Sequence, residues 1–231
     1  MRGDLLHYCI FKGINSSMLD LYMERCPEKV SPKRRDENIE ISGRHGTLTS
    51  TDGTYDTYIR QAEFTILNPA QIDNICAHFK GSGWLTFDDE PTRKYRARVN
   101  NQIELLHIIK KFKRFVIEFD VQPFGYDIEP YIVTKTTPFS LTNIGTFEAE
   151  PIVTVYGTGN ITLYINNQSI ILKSITDKII VDSEMKNAYS GTTLLNNKMN
   201  GEFPILELGE NNISWIGNVN KIEIQPNWRW L

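Results

Sequence analysis

The alternation of apolar and polar residues at every second position limits most strongly how this chain can fold. In one segment Phe115, Ile117, Phe119 and Val121 alternate with the polar residues Arg114, Glu118 and Asp120. A period of two places such side chains on one face of a β-strand. The same pattern recurs at Tyr95, Ala97 and Val99, at Ile161, Leu163 and Ile165, and at Ile222 and Ile224. The sequence therefore predicts a mainly β protein.

One segment has helical spacing instead. Asn68 is a favourable N-cap, and Pro69 suits the first helical position, where its missing N–H would be unpaired anyway. Apolar residues then follow at i, i+3, i+4 and i+7, namely Ile72, Ile75, Cys76 and Phe79. Gly81 is predicted to end the helix, because glycine adopts the left-handed conformation at low cost. Since Cys76 lies on the apolar stripe, we interpret it as a packing residue and not as a nucleophile.

Turn residues separate the predicted strands. Asp52-Gly53, Gly157-Thr158-Gly159 and Asn166-Asn167 each lie between apolar or β-branched segments. Such pairs and triplets favour the tight turns of β-hairpins. We therefore predict a hairpin turn at each of the three positions.

A polar, proline-containing stretch at residues 135–138 follows what resembles a complete strand. Lys and Arg become scarcer after it and Asn becomes more frequent. We predict a domain boundary here, with an N-terminal domain at residues 1–134 and a C-terminal domain at residues 135–231. Exposed, proline-bearing linkers are typical of such boundaries.

Charge and hydropathy exclude several classes of partner. The formal net charge of the 231-residue chain is -3, so the sequence lacks the basic surplus of a nucleic-acid-binding domain. No run approaches the roughly 18 apolar residues of a transmembrane helix. The first residues contain Asp4 and His7 within a short apolar run, which argues against a secretion signal. We expect synthesis in a cytoplasm, no membrane contact and no sequence-specific nucleic-acid binding.

Catalytic and metal-binding patterns are also missing from the sequence. Cys9, Cys26 and Cys76 are odd in number and share no metal-ligand spacing, so we interpret them as reduced thiols, with a Cys9–Cys26 disulfide as the alternative. The adjacent carboxylates at residues 88–90 could hold a cation, but a solvated turn is the commoner outcome. No nucleophile or phosphate-binding motif occurs. The expectation is a non-enzyme with no catalytic, cofactor-binding or metal site and no cofactor.

Three further features have more than one interpretation. The basic run at residues 110–114 could contact phosphates, face a partner or a lumen, or form a solvated loop. His45 lies between glycines and is interpreted as a conformational residue of a loop. Trp228-Arg229-Trp230 could form a sugar-stacking platform or a packed final strand with the guanidinium stacked between the indoles, and packing is favoured.

The order of the motifs resembles that of a known family, the distal tail proteins (Dit) of bacteriophages and prophages with long, non-contractile tails. In the first half the resemblance rests on residues 11–16, 43–46, 52–55, 87–91, 95–99 and 115–124. In the second half it rests on residues 145–151, 182–184, 201–204, 208–211 and 226–230. Each motif is weak alone, and the ordered series is specific.

This resemblance implies both a fold and a role. The family's N-terminal domain is a β-sandwich with one α-helix and a projecting β-hairpin, and it forms a hexameric ring or two stacked hexamers. The C-terminal domain is a small galectin-like or carbohydrate-module-like β-sandwich on the outside. The ring is a baseplate hub that joins the major tail tube protein to the tail-associated tip protein and receptor-binding proteins for host adsorption and DNA passage. Such a protein would be located at the tail tip of the virion.

Two other function classes remain open from sequence alone. A carbohydrate-binding β-sandwich module is the principal alternative, favoured by the β-rich pattern and the terminal tryptophans. A glycosidase would need two carboxylates about 5 to 9 Å apart across a cleft, and no local motif supports one.

Overall fold

The computed structural model describes residues 6–100 and 114–231. The chain divides into two compact units, Met1–Gly125 and Tyr126–Trp230. Each unit has its own hydrophobic core. The division falls ahead of the predicted boundary after residue 134. Lys135, predicted to lie in an exposed linker, is exposed and lies in a short strand, where it pairs with Ile222.

The first unit is built from nine strands and one α-helix in its described part. The strands are β1 (Cys9–Phe11), β2 (Ile14–Asn15), β3 (Leu21–Met23), β4 (Arg34–Glu40), β5 (Thr47–Tyr55), β6 (Tyr58–Ile66), β7 (Ser82–Phe87), β8 (Arg93–Val99) and β9 (Arg114–Asp127). Seven of them form a sheet in the order β2-β1-β7-β8-β9-β6-β3. An antiparallel bridge between His7 and Met23 joins β3 to the chain that leads into β1, so the sheet curls round on itself.

The inward face of this sheet carries a core rich in phenylalanine. Its buried phenylalanines are Phe11, Phe64, Phe79, Phe87 and Phe119, each at most 3% exposed. The predicted alternation is confirmed in β8 and β9, where every second side chain turns into this core. Burying one such side chain contributes roughly 1.5–3 kcal/mol, so the aromatic cluster is a major source of stability for the unit.

The predicted helix is present but shorter than expected. The side chain of Asn68 accepts a hydrogen bond from the Ala70 N–H, as an N-cap should. The first turn, Pro69–Gln71, is a 3-10 helix, and α1 then runs over Ile72–His78. Ile75 and Phe79 are buried against the sheet. The chain leaves the helix before Gly81, which has a left-handed φ of 69°.

The second unit is a curled antiparallel sheet of shorter and longer strands. They are β10 (Val133–Lys135), β11 (Phe139–Asn143), β12 (Ile152–Ile165), β13 (Gln168–Ile175), β14 (Lys178–Asp182), β15 (Asn187–Ser190), β16 (Thr193–Leu194), β17 (Met199–Asn200) and β18 (Gly209–Gln225). The short last strand, β19 (Arg229–Trp230), is not part of this sheet. The long strands β12 and β18 pair with each other in two halves. Around one half lie β10 and β14, and around the other lie β11 and β13. The mainly β, sandwich-type prediction is confirmed.

The prediction of a turn at Gly157-Thr158-Gly159 is wrong, because these residues lie inside β12. The β12–β18 register shifts on either side of them, so they form a bulged segment between the two halves of the strand. A Cβ at position 157 would lie 2.3 Å from the backbone oxygen of Asn218, which explains the glycine. Glycine inside a strand often marks such a close approach. The Asn166-Asn167 turn between β12 and β13 is confirmed, with Asn166 at a φ of 50°.

Candidate assembly site

The hairpin of β4 and β5 stands out in the first unit. Within residues 6–100 and 114–231, these two strands pair only with each other and form a separate two-stranded sheet. Every residue of β4 is exposed, and so are all residues of β5 except Tyr55. A two-stranded hairpin without a third strand or a helix to cover it is marginally stable in water. This element is therefore suited to packing against another surface.

The hairpin turns at residues 41–46, and not at Asp52-Gly53 as predicted. Gly43 and Gly46 supply the left-handed φ angles of this turn, which also contains His45. Asp52-Gly53 instead lies within β5. The register shifts there between the Arg34–Tyr55 and Asp36–Thr51 pairs, so Asp52-Gly53 is part of a bulge. A bulge needs the same positive φ as a tight turn, so an Asp-Gly pair fits both structures.

The outer part of the hairpin carries an apolar patch. Ile39 and Leu48 lie directly opposite each other in the register, and Ile41 follows at the turn. Their exposed fractions are 41%, 48% and 42%. Directly opposed apolar side chains on a ribbon give a small, self-contained hydrophobic surface. We name Ile39, Ile41 and Leu48 the hairpin patch.

The base of the hairpin is polar. The Nε–H of Arg35 donates to Asp56 at 2.6 Å, and the Nε–H of Arg34 donates to the Thr51 hydroxyl at 2.8 Å. Asp52 accepts from both the N–H and the hydroxyl of Thr54, which lowers its pKa. These bonds hold the two strands together at the base of the hairpin, whereas the hairpin patch lies at its other end, next to the turn.

In the acidic turn between β7 and β8, Asp89 is exposed, but Asp88 and Glu90 are partly buried and paired instead of solvated. Glu90 pairs with Arg60 at 3.0 Å and with Lys29 at 3.0 Å, and it accepts from the Tyr95 hydroxyl at 3.2 Å. Arg60 is 1% exposed, and its second nitrogen donates to the Pro27 carbonyl. Burial alone would raise the pKa of Glu90, but the hydrogen bonds from Lys29 and Arg60 outweigh it and lower that pKa. Glu90 therefore neutralises a buried arginine.

Asp88, at the start of the same turn, has different partners. One of its oxygens accepts from the Cys26 thiol at 2.8 Å, and its carboxylate lies 3.1 Å from Nδ1 of His7. Burial and the hydrogen bond to Asp88 both raise the pKa of Cys26. Burial likewise raises the pKa of Cys9 to about 12. All three cysteines are free thiols, so the Cys9–Cys26 disulfide does not form here.

The basic run at residues 110–114 is described only at its end. Residues 110–113 lie outside the described part of the chain. Arg114 begins β9 and forms an ion pair with Glu24.

The C-terminal aromatic motif is packed, as favoured. Trp228 is 1% exposed, and its indole N–H donates to the Tyr131 hydroxyl at 2.8 Å. Arg229 donates from Nε to the Glu148 carbonyl and pairs with Glu150 at 3.0 Å. Its guanidinium lies over the ring of Phe147, 5.4 Å from the ring centroid. A buried Trp228 cannot present its face to a sugar.

No helix in the described part of the chain has the length and hydrophobicity that a membrane crossing requires.

Comparison with known proteins identifies a solved structure of similar fold. No protein-family model matches the chain, and no curated protein sequence matches it. The crystal structure of the SPP1 Dit protein (gp 19.1), described as a paradigm of the hub adsorption apparatus in phages that infect Gram-positive bacteria, superposes with a TM-score of 0.77. The match covers 97% of this chain and 99% of that one at 12% sequence identity. The chain therefore has a Dit-like fold, as its ordered motifs predict.

Proposed function

We propose that this protein is a structural hub of a phage tail and not an enzyme. Its chains form a hexameric ring, or two stacked hexamers, that joins the tail tube to the tail-tip or baseplate proteins. The observation that carries the proposal is the Dit-like fold, which extends over 97% of the chain. A likeness of that extent includes residues of both units.

The exposed hairpin supports the assembly part of the proposal. Rings require heterologous contacts, in which one surface of a chain meets a different surface of its neighbour. A projecting ribbon with an apolar patch and a polar base provides one such surface. We assign ring formation to the first unit, which contains the hairpin, and an outer position to the second unit, which has an independent core.

The partners follow from the hub role. The ring would contact the major tail tube protein on one side and the tail-associated tip protein on the other, with receptor-binding proteins attached. The protein would act in the virion, at the tip of the tail. The alternative, a carbohydrate-binding module, loses one of its two supports because Trp228 is buried.

The hairpin patch gives a direct test of assembly. We expect the wild-type protein to form a species of six or twelve chains of 26.6 kDa in size-exclusion chromatography with light scattering. Replacing Ile39 and Leu48 together by Asp places two carboxylates in the contact, so this variant should shift to smaller species. Its circular dichroism should match the wild type, because the patch is exposed and outside the core.

A matched control is Met185→Asp, which charges a side chain that is 68% exposed in a turn of the second unit. This variant should assemble as the wild type does. If the hairpin variant and the control assembled equally well, the hairpin would not be part of the interface. A monomeric wild-type protein across the micromolar range would contradict the ring itself.

A further inference from the structure

A cluster of three potential ligands lies where the curled sheet of the first unit closes. His7 forms the bridge to Met23 that joins β3 to the chain entering β1. Cys26 follows the end of β3, and Asp88 follows the end of β7. The N–H of Asp88 donates to the carbonyl of Tyr8, so Asp88 is held beside the segment that carries His7. Three separate chain segments therefore meet at this point.

The ligand atoms are already close together. Nδ1 of His7, Sγ of Cys26 and a carboxylate oxygen of Asp88 all lie within 4.8 Å of one another. Oδ1 of Asp88 lies 2.8 Å from Sγ of Cys26 and 3.2 Å from Nδ1 of His7. In a tetrahedral zinc site, with bonds of about 2.0–2.3 Å, ligand atoms lie roughly 3.3–3.8 Å apart. Small side-chain movements would thus bring all three atoms to a common centre.

The chemistry of the donor set selects the cation. Thiolate favours soft or borderline metals, whereas calcium and magnesium prefer oxygen ligands alone. One sulfur, one imidazole nitrogen and one carboxylate oxygen suit zinc, which accepts all three. The side chains of His7 and Asp88 remain 32% and 17% exposed, so a water molecule can occupy the fourth position.

The surroundings also favour a cation. The backbone N–H of Asp89 donates to the Cys26 sulfur, and the carboxylate of Asp89 adds a second negative charge near it. On binding, the thiol proton that Cys26 now shares with Asp88 leaves to solvent, and the thiolate, carboxylate and neutral imidazole coordinate the ion. Metal-bound thiolates and carboxylates commonly accept such outer hydrogen bonds.

We propose that His7, Cys26 and Asp88 form a binding site for one zinc ion, which links the segments flanking β1, β3 and β7. The proposal is independent of the hub function. No spacing search could have found it, because the ligands are separated by up to 81 positions. The expectation that the protein has no metal site stays untested, and this cluster is the place to test it.

The test uses untagged full-length protein stripped of metal. Isothermal titration with zinc chloride should give one ion per chain, and zinc should raise the melting temperature by mass action. Titration with cobalt(II) chloride should give an intense thiolate-to-cobalt charge-transfer band. Cys26→Ser should abolish that band and weaken zinc binding by more than about a hundredfold, because loss of a ligand exceeds the cost of losing an outer partner. His7→Gln should weaken binding while keeping the band.

The matched control is Cys76→Ser, which removes a thiol on α1 outside the cluster and should bind zinc and cobalt as the wild type does. Melting curves without metal establish that each variant is folded. Failure of the wild type to bind zinc, or a cobalt spectrum without a thiolate band, would overturn the proposal even if a variant did not fold. Equal zinc affinity in Cys26→Ser and the wild type would also overturn it.

Discussion

Glu90 provides a stringent test of how the first unit is held together. Its carboxylate faces Arg60, which is 1% exposed and lies 4.3 Å above the ring of Phe87. Glu90→Gln keeps the size of the side chain and an accepting oxygen but removes the negative charge. The buried guanidinium then keeps the Pro27 carbonyl as a partner but loses its counter-charge.

The expected cost can be worked from this geometry. Removing one partner of a buried ion pair costs about 3–5 kcal/mol, since the remaining charge is left uncompensated. In Glu90→Gln the buried guanidinium still has two accepting oxygens, that of Gln and the Pro27 carbonyl. We therefore expect a cost at the lower end of this range, about 3 kcal/mol. In a unit of this size, Met1–Gly125, each kcal/mol of lost stability lowers the melting temperature by about 4 °C. A loss of about 3 kcal/mol should therefore lower the melting temperature by about 12 °C.

The assay is calorimetry and urea unfolding at matched protein concentration. The control is Asp56→Asn, which makes the same change in a shorter ion pair, Arg35–Asp56 at 2.6 Å, whose members are about half exposed. We expect no measurable loss in that variant, because solvent screens exposed pairs. A loss below about 1 kcal/mol in Glu90→Gln would refute the argument that burial makes the charge of Glu90 indispensable.

The Arg60–Glu90 ion pair also predicts that the stability of the first unit depends on pH. The folded protein lowers the pKa of Glu90 below its ordinary value of 4.5, so the unfolded chain takes up the proton first as the pH falls. The contribution of Glu90 is complete above that value and is lost as the pH falls through the folded pKa. The stability difference between the wild type and Glu90→Gln should therefore be constant at neutral pH and should narrow as the pH falls through 4.5 and below it.

Two further predictions concern the second unit and the division of the chain. Gly157→Ala should destabilise the second unit by about 1–3 kcal/mol, because its Cβ would lie 2.3 Å from the Asn218 carbonyl oxygen. Gly159→Asn should leave the free energy of unfolding in urea almost unchanged. No atom lies within 4 Å of the Cβ that it would add, and Asn tolerates the φ of 81° at this position. A fragment of residues 126–231 should be a folded monomer, and one of residues 1–125 should keep the large species in light scattering. An oligomeric second fragment with a monomeric first fragment would reverse the roles of the two units.

Strand content and the helix could be predicted because they depend on local periodicity. The buried residues Ile117, Phe119 and Val121 alternate in the sequence as they do in the structure. Turns were predicted less well, because glycine with a positive φ serves equally in a turn and in a bulge. Asp52-Gly53 and Gly157-Thr158-Gly159 are bulges inside long strands, and only the partner strand reveals it.

The candidate sites depend on contacts between distant parts of the chain. Nothing near residues 88–90 in sequence indicates that Asp88 meets Cys26 or that Glu90 meets Arg60. The family resemblance implied a projecting hairpin, but the position of its turn at residues 41–46 was not predicted. The likeness to Dit proteins was accessible from the order of weak motifs, each of which is too short to identify a family alone.

Electron microscopy of the purified full-length protein tests the central claim most directly. A hub should appear in negative stain as closed rings with sixfold symmetry and a central channel, as single rings or as two stacked rings. The second unit should appear as separate density at the outer rim. Particles the size of one 26.6 kDa chain, or open filaments without a closed ring, would contradict the account.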